Sequence, residues 1–174
     1  GNRRWARQLG LPRNRGHEEG LQAAKRVVAA ARRAGVRYLS LYTFSTENWK
    51  RAEEEVSFLM SMLASRLRTE LDFYRENQIR VICSGDRAGL PGSVTRELDL
   101  VQRDTAEFSG LTVHLLINYG GRDEILRAVK RWVSSETGEH GSSLESIESL
   151  DAGARQRHFA NPEVQAPDLI IRTG

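Results

Sequence analysis

LTVHLLIN, residues Leu111–Asn118, followed at once by YGGRDE, Tyr119–Glu124, is the stretch that decides the fold. A short apolar run rich in β-branched residues predicts a buried strand. The turn Tyr119-Gly120-Gly121 ends it, and Asp123 is placed to cap a helix running through Val133. Strand, glycine turn and helix in succession are half of a strand-helix-strand unit, so the rest of the chain must be asked whether it repeats the pattern.

It does. Upstream, Ile79–Ser84 (IRVICS) is a second apolar run, stopped by Gly85-Asp86, and a helix carrying Val94, Leu98 and Val101 is predicted from about Ser93 to Phe108. Before it, Phe58, Leu59, Met62, Leu63, Leu67, Leu71 and Tyr74 mark a long helix ending near Asn77. Val36–Phe44 (VRYLSLYTF) reads as a strand. Helical spacing of Leu21, Ala24, Val27, Val28 and Ala31 predicts a helix over Glu18–Ala34, with Gly35 at its stop. Downstream, residues 134–143 read as a mobile polar connection, followed by short helical pieces and a final strand, Leu169–Arg172. Such alternation requires crossover connections, which predicts an α/β fold with a mostly parallel central sheet flanked by helices. Ligands in such sheets sit beyond the carboxyl ends of the strands, here Phe44-Ser45, Asn118-Tyr119 and Arg172-Thr173.

The chain's 174 residues suit a single domain over 1–174, and its abrupt start and finish on motifs read as truncation at both ends. Twenty-six Lys and Arg against 23 Asp and Glu leave only +3, so basic character lies in placement. One cysteine, Cys83, excludes an internal disulfide and a multi-cysteine zinc site, and fits a reducing, cytoplasmic setting. No run approaches the length of a membrane span, so a soluble protein is expected.

The placement is most uneven at the start, where Arg3, Arg4, Arg7, Arg13 and Arg15 occur with no acid up to His17. Planar, permanently charged donors ahead of a helix start near His17 suit an anion such as phosphate. On arginine content alone, a solvated basic loop or a nucleic-acid surface suits them better. Trp5 can cover a ligand's apolar part or enter the core. Phe44–Arg51 (FSTENWKR) sets hydroxyls, a carboxylate, an amide and an arginine directly after a strand, which serves a ligand or simply caps the next helix. No G-x-G-x-x-G, G-x-x-x-x-G-K-[ST] or G-x-S-x-G occurs, and the histidines at 17, 114, 140 and 158 lack metal-ligand spacing.

Taken together, GNRRWA (Gly1–Ala6), RNRGHEEG (Arg13–Gly20), LYTFSTENWKR (Leu41–Arg51) with Glu55 beyond it, INYGGRDEI (Ile117–Ile125) and DLIIRTG (Asp168–Gly174) resemble, in order, the cis-prenyltransferases, the undecaprenyl diphosphate synthase family. The resemblance implies condensation of isopentenyl diphosphate with an allylic diphosphate such as farnesyl diphosphate, with Mg2+, giving a cis double bond. It implies that Gly1, Asn2, Arg3, Arg4, Arg13 and His17, with Trp5 beside them, hold the allylic substrate. Ser45, Thr46, Glu47, Asn48, Trp49 and Arg51 match the loop that covers the substrates, with Asn48 assisting proton removal and Glu55 ordering the loop. Arg172 matches a residue that binds isopentenyl diphosphate. Leu41, Phe58, Leu59, Met62, Leu63 and Leu115 are candidates for the wall of a product tunnel, or else ordinary core. The family's metal ligands, an aspartate before the position of Gly1 and a glutamate beyond Gly174, lie outside residues 1–174, so little turnover is expected of these residues alone. A homodimer with peripheral membrane contact is implied as well.

Two other readings compete. A non-catalytic partner subunit of the same fold would tend to lose the arginines and the asparagine loop, yet Arg4, Arg13, His17, Asn48 and Arg51 all stand. A nucleic-acid-binding domain would respond to salt and oligonucleotides and ignore diphosphates, and the motif set argues against it.

Overall fold

A computed structural model describes residues 1–136 and 157–172. The elements run α1 (Asn2–Gln8), α2 (Arg13–Arg33), β1 (Tyr38–Ser45), a 3₁₀ turn (Thr46–Lys50), α3 (Glu53–Thr69), α4 (Leu71–Glu76), β2 (Ile79–Ser84), α5 (Gly92–Asp104), β3 (Leu111–Tyr119) and α6 (Gly121–Glu136). The three strands form one sheet in the order β1-β3-β2, parallel throughout. LTVHLLIN is therefore the central strand. Its odd-numbered residues Leu111, Val113, Leu115 and Ile117 join the core with Val81, Val94, Leu98 and Leu67.

Edge strands must satisfy their outward backbone groups. On β2 side chains from α5 and just after it do so: Val81 N–H donates to Thr105 Oγ1 (3.0 Å) and Cys83 N–H to Gln102 Oε1 (2.9 Å). On β1 the register with β3 slips between Tyr42 and Phe44 and again before Ser45. A bulge there re-aims the strand's last residues, and Phe44 and Ser45 turn inward, both under 9 % exposed.

Four expectations need correction. Helix α2 begins at Arg13, after Pro12, and not near His17, and α1 precedes it where no helix was predicted. The long helix breaks at Glu70 into α3 and α4. Asp123 lies in the first turn of α6, which starts at Gly121. Leu169–Arg172 is not a strand: a strand persists only by pairing, this run pairs with neither β1 nor β2, and Leu169, Ile170 and Ile171 are 75, 80 and 77 % exposed. The polar connection and the short helical pieces predicted after α6 fall largely outside the described residues.

Candidate active site

The site begins with two glycines four residues apart on α2. A Cβ on Gly16 would lie 2.2 Å from the Asn2 carbonyl oxygen, and one on Gly20 would lie 2.4 Å from Asn2 Nδ2. Positions i and i+4 share a helix face, so the glycines of RNRGHEEG form a bare strip on which α1 rests. That contact buries Ala6 completely and brings the arginine-rich α1 beside His17. Nothing in the periodicity of GNRRWARQ announces this, because α1 is held by backbone contact and not by an apolar face.

Glu55, at the start of α3, is the hub. Buried to 7 % exposure, its carboxylate accepts from Arg51 Nη1 (2.9 Å) and lies 3.7 Å from Arg3 Nε and 3.4 Å from His17 Nε2. Burial alone would raise its pKa, but the Arg51 hydrogen bond, with Arg3 and His17 adding to it, outweighs that and holds the carboxyl below its usual range. Burial lowers the His17 pKa more than Glu55 raises it, so the imidazole stays neutral at pH 7. Glu55 Oε2 and His17 Nε2 are buried without a hydrogen-bond partner among the described residues. Such groups carry a cost that a ligand can relieve.

The 3₁₀ turn is built as a cap: Asn48 Oδ1 accepts from the Ser45 backbone N–H (3.1 Å), and the Ser45 side chain closes a reciprocal box. The acceptor end of Asn48 is thus occupied within its own turn. The glycine turn after β3 packs beneath: a Cβ on Gly120 would lie 2.8 Å from Thr46 Oγ1. Tyr42 O–H donates to the Tyr119 carbonyl (2.9 Å), and Trp49 Nε1–H donates to Asn118 Oδ1 (2.7 Å). STENW and NYGG, some seventy residues apart, form one structure at the carboxyl end of the sheet.

Behind this polar mouth lies a cavity of about 310 Å³. Asn2 and His17 open it; Leu41, Leu59, Met62, Leu63 and Leu115, five of the six expected tunnel residues, line it. Phe58 does not; its ring sits 6.5 Å from that of His17. Lys25, two turns beyond His17 on α2 and so about 12 Å away at the helical rise, reaches the wall with Glu70, to which its Nζ is paired, and with Phe73 and Tyr74. Burial and Glu70 push the Tyr74 pKa up to about 12. A second hollow, about 570 Å³, lies between His114, α6 and Phe159. Because β3 side chains alternate, it faces the other side of the sheet and holds none of the arginine cluster.

The structure thus joins Asn2, Arg3, His17, Arg51 and Glu55, and ties Ser45, Thr46, Asn48 and Trp49 into the adjoining turn. Gly1, Arg4, Trp5 and Arg13 stand exposed beside them, and Glu47 lies in the turn's first residues. Arg172 is exposed on the unpaired stretch, with no described contact to the cluster. Sequence reasoning missed Asn118, Gly16 and Gly20 as site builders. Among the described residues no three His, Cys, Asp or Glu side chains gather as a metal needs. Glu55 is already engaged by arginines, so these residues do not by themselves fit Mg2+, which wants free hard oxygens.

A family model described as "Putative undecaprenyl diphosphate synthase" matches residues 1–174. The chain belongs to this family. The prenyltransferase is 43 % identical over 174 residues to an isoprenyl transferase of Treponema denticola, covering 100 % of this chain and 72 % of that protein. It is 39 % identical over 173 residues to an isoprenyl transferase of Bacillus subtilis, covering 99 % of this chain and 65 % of that protein. A probable undecaprenyl diphosphate synthase from Campylobacter jejuni superposes with a TM-score of 0.67 at 30 % identity, over 80 % of this chain and 62 % of that one. In fold alone, lavandulyl diphosphate synthase from Lavandula x intermedia, solved with dimethylallyl diphosphate, superposes with a TM-score of 0.86 at 23 % identity, over 95 % of this chain and 69 % of that one. The prenyltransferase is accordingly an enzyme of the prenyl diphosphate synthase kind. No helix among its described residues is long and apolar enough to cross a membrane.

Proposed function

We propose that the enzyme condenses isopentenyl diphosphate with an allylic diphosphate such as farnesyl diphosphate. One observation carries this: Arg3, Arg51 and His17 converge on Glu55, and His17 also lines a cavity whose wall is mostly apolar, leucine and methionine foremost. A cationic rim in line with an apolar bore fits an amphiphile with an anionic head and a hydrocarbon tail. In the reaction, the allylic carbon–oxygen bond breaks and diphosphate leaves with its electrons. The isopentenyl double bond supplies the new carbon–carbon bond, and loss of a proton restores a double bond, cis. Guanidinium forks suit the charge that grows on the leaving diphosphate. Arg4 and Arg13, exposed beside the rim, add donors to it. Arg172 is the proposed contact for isopentenyl diphosphate, and Mg2+ and a homodimer belong to this reading through the family resemblance.

The test uses the full-length polypeptide that carries these residues. Radiolabelled isopentenyl diphosphate incorporation with farnesyl diphosphate and Mg2+ is expected, and Arg4→Ala is expected to reduce it at least about tenfold, the value of one charged hydrogen bond. Binding of farnesyl diphosphate without elongation would instead point to a non-catalytic partner subunit. Absence of any binding would overturn the reading.

A further inference from the structure

Asn118 lies at the end of the central strand, 4 % exposed, with a left-handed backbone at φ 49°. A non-glycine residue pays for that conformation unless a short polar side chain bonds locally, which asparagine does best. Its side-chain oxygen accepts from Trp49 Nε1–H (2.7 Å), and its amide nitrogen donates to the Asp86 carbonyl (2.8 Å). An indole N–H only donates and a carbonyl only accepts, so these partners fix which way the amide points. The backbone closes the joint, since Asp86 N–H donates to the Asn118 carbonyl (3.0 Å). Neighbouring glycines clear room for it: a Cβ on Gly89 would lie 2.9 Å from Asn118 Nδ2, and one on Gly85 would lie 1.7 Å from the Ile117 carbonyl oxygen.

One amide therefore ties three pieces of chain at the carboxyl end of the sheet: the turn after β1, the turn after β2 and the end of β3 itself. Trp49, the residue it holds, stands between Asn48 and the Glu55-bound Arg51, and its indole packs edge-on against Phe44 at 5.2 Å. We propose that Asn118 is a positioning residue for the condensation: by holding the Trp49 indole it sets the placement of Asn48 and Arg51 over the substrates. This rests on the condensation reading above. Asn118 touches no reacting atom; it acts through Trp49, and a displacement of the turn by about 1 Å is enough to slow a reaction markedly.

The test compares Asn118→Gly, which keeps the left-handed backbone and loses the clamp, with Trp49→Phe, which keeps the ring and loses the indole N–H, and with their double variant. All are made in the full-length enzyme. Each single variant is expected to lose about tenfold in kcat with a smaller change in KM for farnesyl diphosphate. The double variant is expected to be no worse than the worse single one, because the Trp49–Asn118 bond that Trp49→Phe removes is already lost in Asn118→Gly. The Trp49 indole proton resonance, assigned by its loss in Trp49→Phe, should move upfield in Asn118→Gly. Should Asn118→Gly not fold, Trp49→Phe alone carries the test, because it removes the Trp49–Asn118 bond and leaves the Asn118–Asp86 joint intact: wild-type turnover by it would overturn the positioning role. Wild-type turnover by Asn118→Gly, or additive losses in the double variant, would overturn the positioning role while leaving the condensation reading intact. Absence of elongation by the unsubstituted enzyme would overturn that reading and this role with it, whatever the indole resonance does.

Discussion

Gly16→Ala is the substitution whose effect the structure specifies most closely. The added Cβ would lie 2.2 Å from the Asn2 carbonyl oxygen, 2.9 Å from its carbonyl carbon and 3.2 Å from Ala6 Cβ. These are backbone and short side-chain atoms, so no rotamer change relieves the overlap. Helix α1 must withdraw by about 1 Å to restore ordinary contact near ~3.5 Å. Alanine gains up to ~1 kcal/mol of helix propensity over glycine, while overpacking costs ~1–3 kcal/mol. The net loss of stability is then about 0–2 kcal/mol, small enough for the protein to fold. The displaced helix carries Asn2 and Arg3 away from His17 and Glu55, and a shift of that size is expected to cost ~100-fold in turnover. The assay is steady-state elongation by the full-length enzyme, with thermal unfolding followed by circular dichroism and farnesyl diphosphate binding by calorimetry. Gly20→Ala is the control: its Cβ meets the movable end of the Asn2 side chain, so its effect should be smaller. Wild-type turnover, affinity and stability in Gly16→Ala would refute the packing of α1 on α2 and the site built upon it.

Three further outcomes are expected. Burial lowers the pKa of His17 and of His114 below the ordinary 6.5, so the unfolded chain binds protons more readily below that pH. Their contribution to stability is complete above pH 6.5 and drains as pH falls through the lowered native values, and a His17→Gln/His114→Gln variant should flatten the fall in a denaturant series. Glu55→Gln removes the charge that gathers Arg3, Arg51 and His17, and should destabilise the fold by ~1–3 kcal/mol, read by urea unfolding, while raising KM for the allylic diphosphate. Burial pushes the Cys83 thiol up to about 11 from 9.0, so its thiolate fraction falls by ~100-fold; alkylation by iodoacetamide at pH 8 should be slowed accordingly and recover in urea.

The strands were legible because each is a short apolar run closed by glycine or a polar turn, and LTVHLLIN is the one buried in the middle of the sheet. The arginines, the STENW turn and Glu55 were legible as motifs, and the resemblance gave them roles. What escaped the sequence is of another kind. Helix α1 has no apolar period because glycines on a different helix make its seat. The break at Glu70 interrupts a hydrophobic pattern that continues through it unchanged. Leu169–Arg172 has the composition of a strand, and composition is silent about whether a neighbour is present to pair with. Asn118 reads as the last residue of a strand, and its role depends on an indole sixty-nine positions earlier. Asn48 reads equally as a cap or as a ligand group, and the Ser45 hydrogen bond shows that it is at least a cap.

The strand order β1-β3-β2 also dictates when the site can first exist during synthesis. Strand β3 lies between the other two, so among the described residues β1 and β2 are joined only once residues 111–119 leave the ribosome. At ~5–20 residues per second, several seconds pass between the emergence of β1 and the arrival of its partner. Through that interval β1 and β2 lack the strand that joins them, and the turn after β1 lacks the glycine turn that packs beneath it. Competence to hold a substrate therefore arrives late and all together, with the closing of the sheet, and a diphosphate ligand would report the finished fold and none of its precursors.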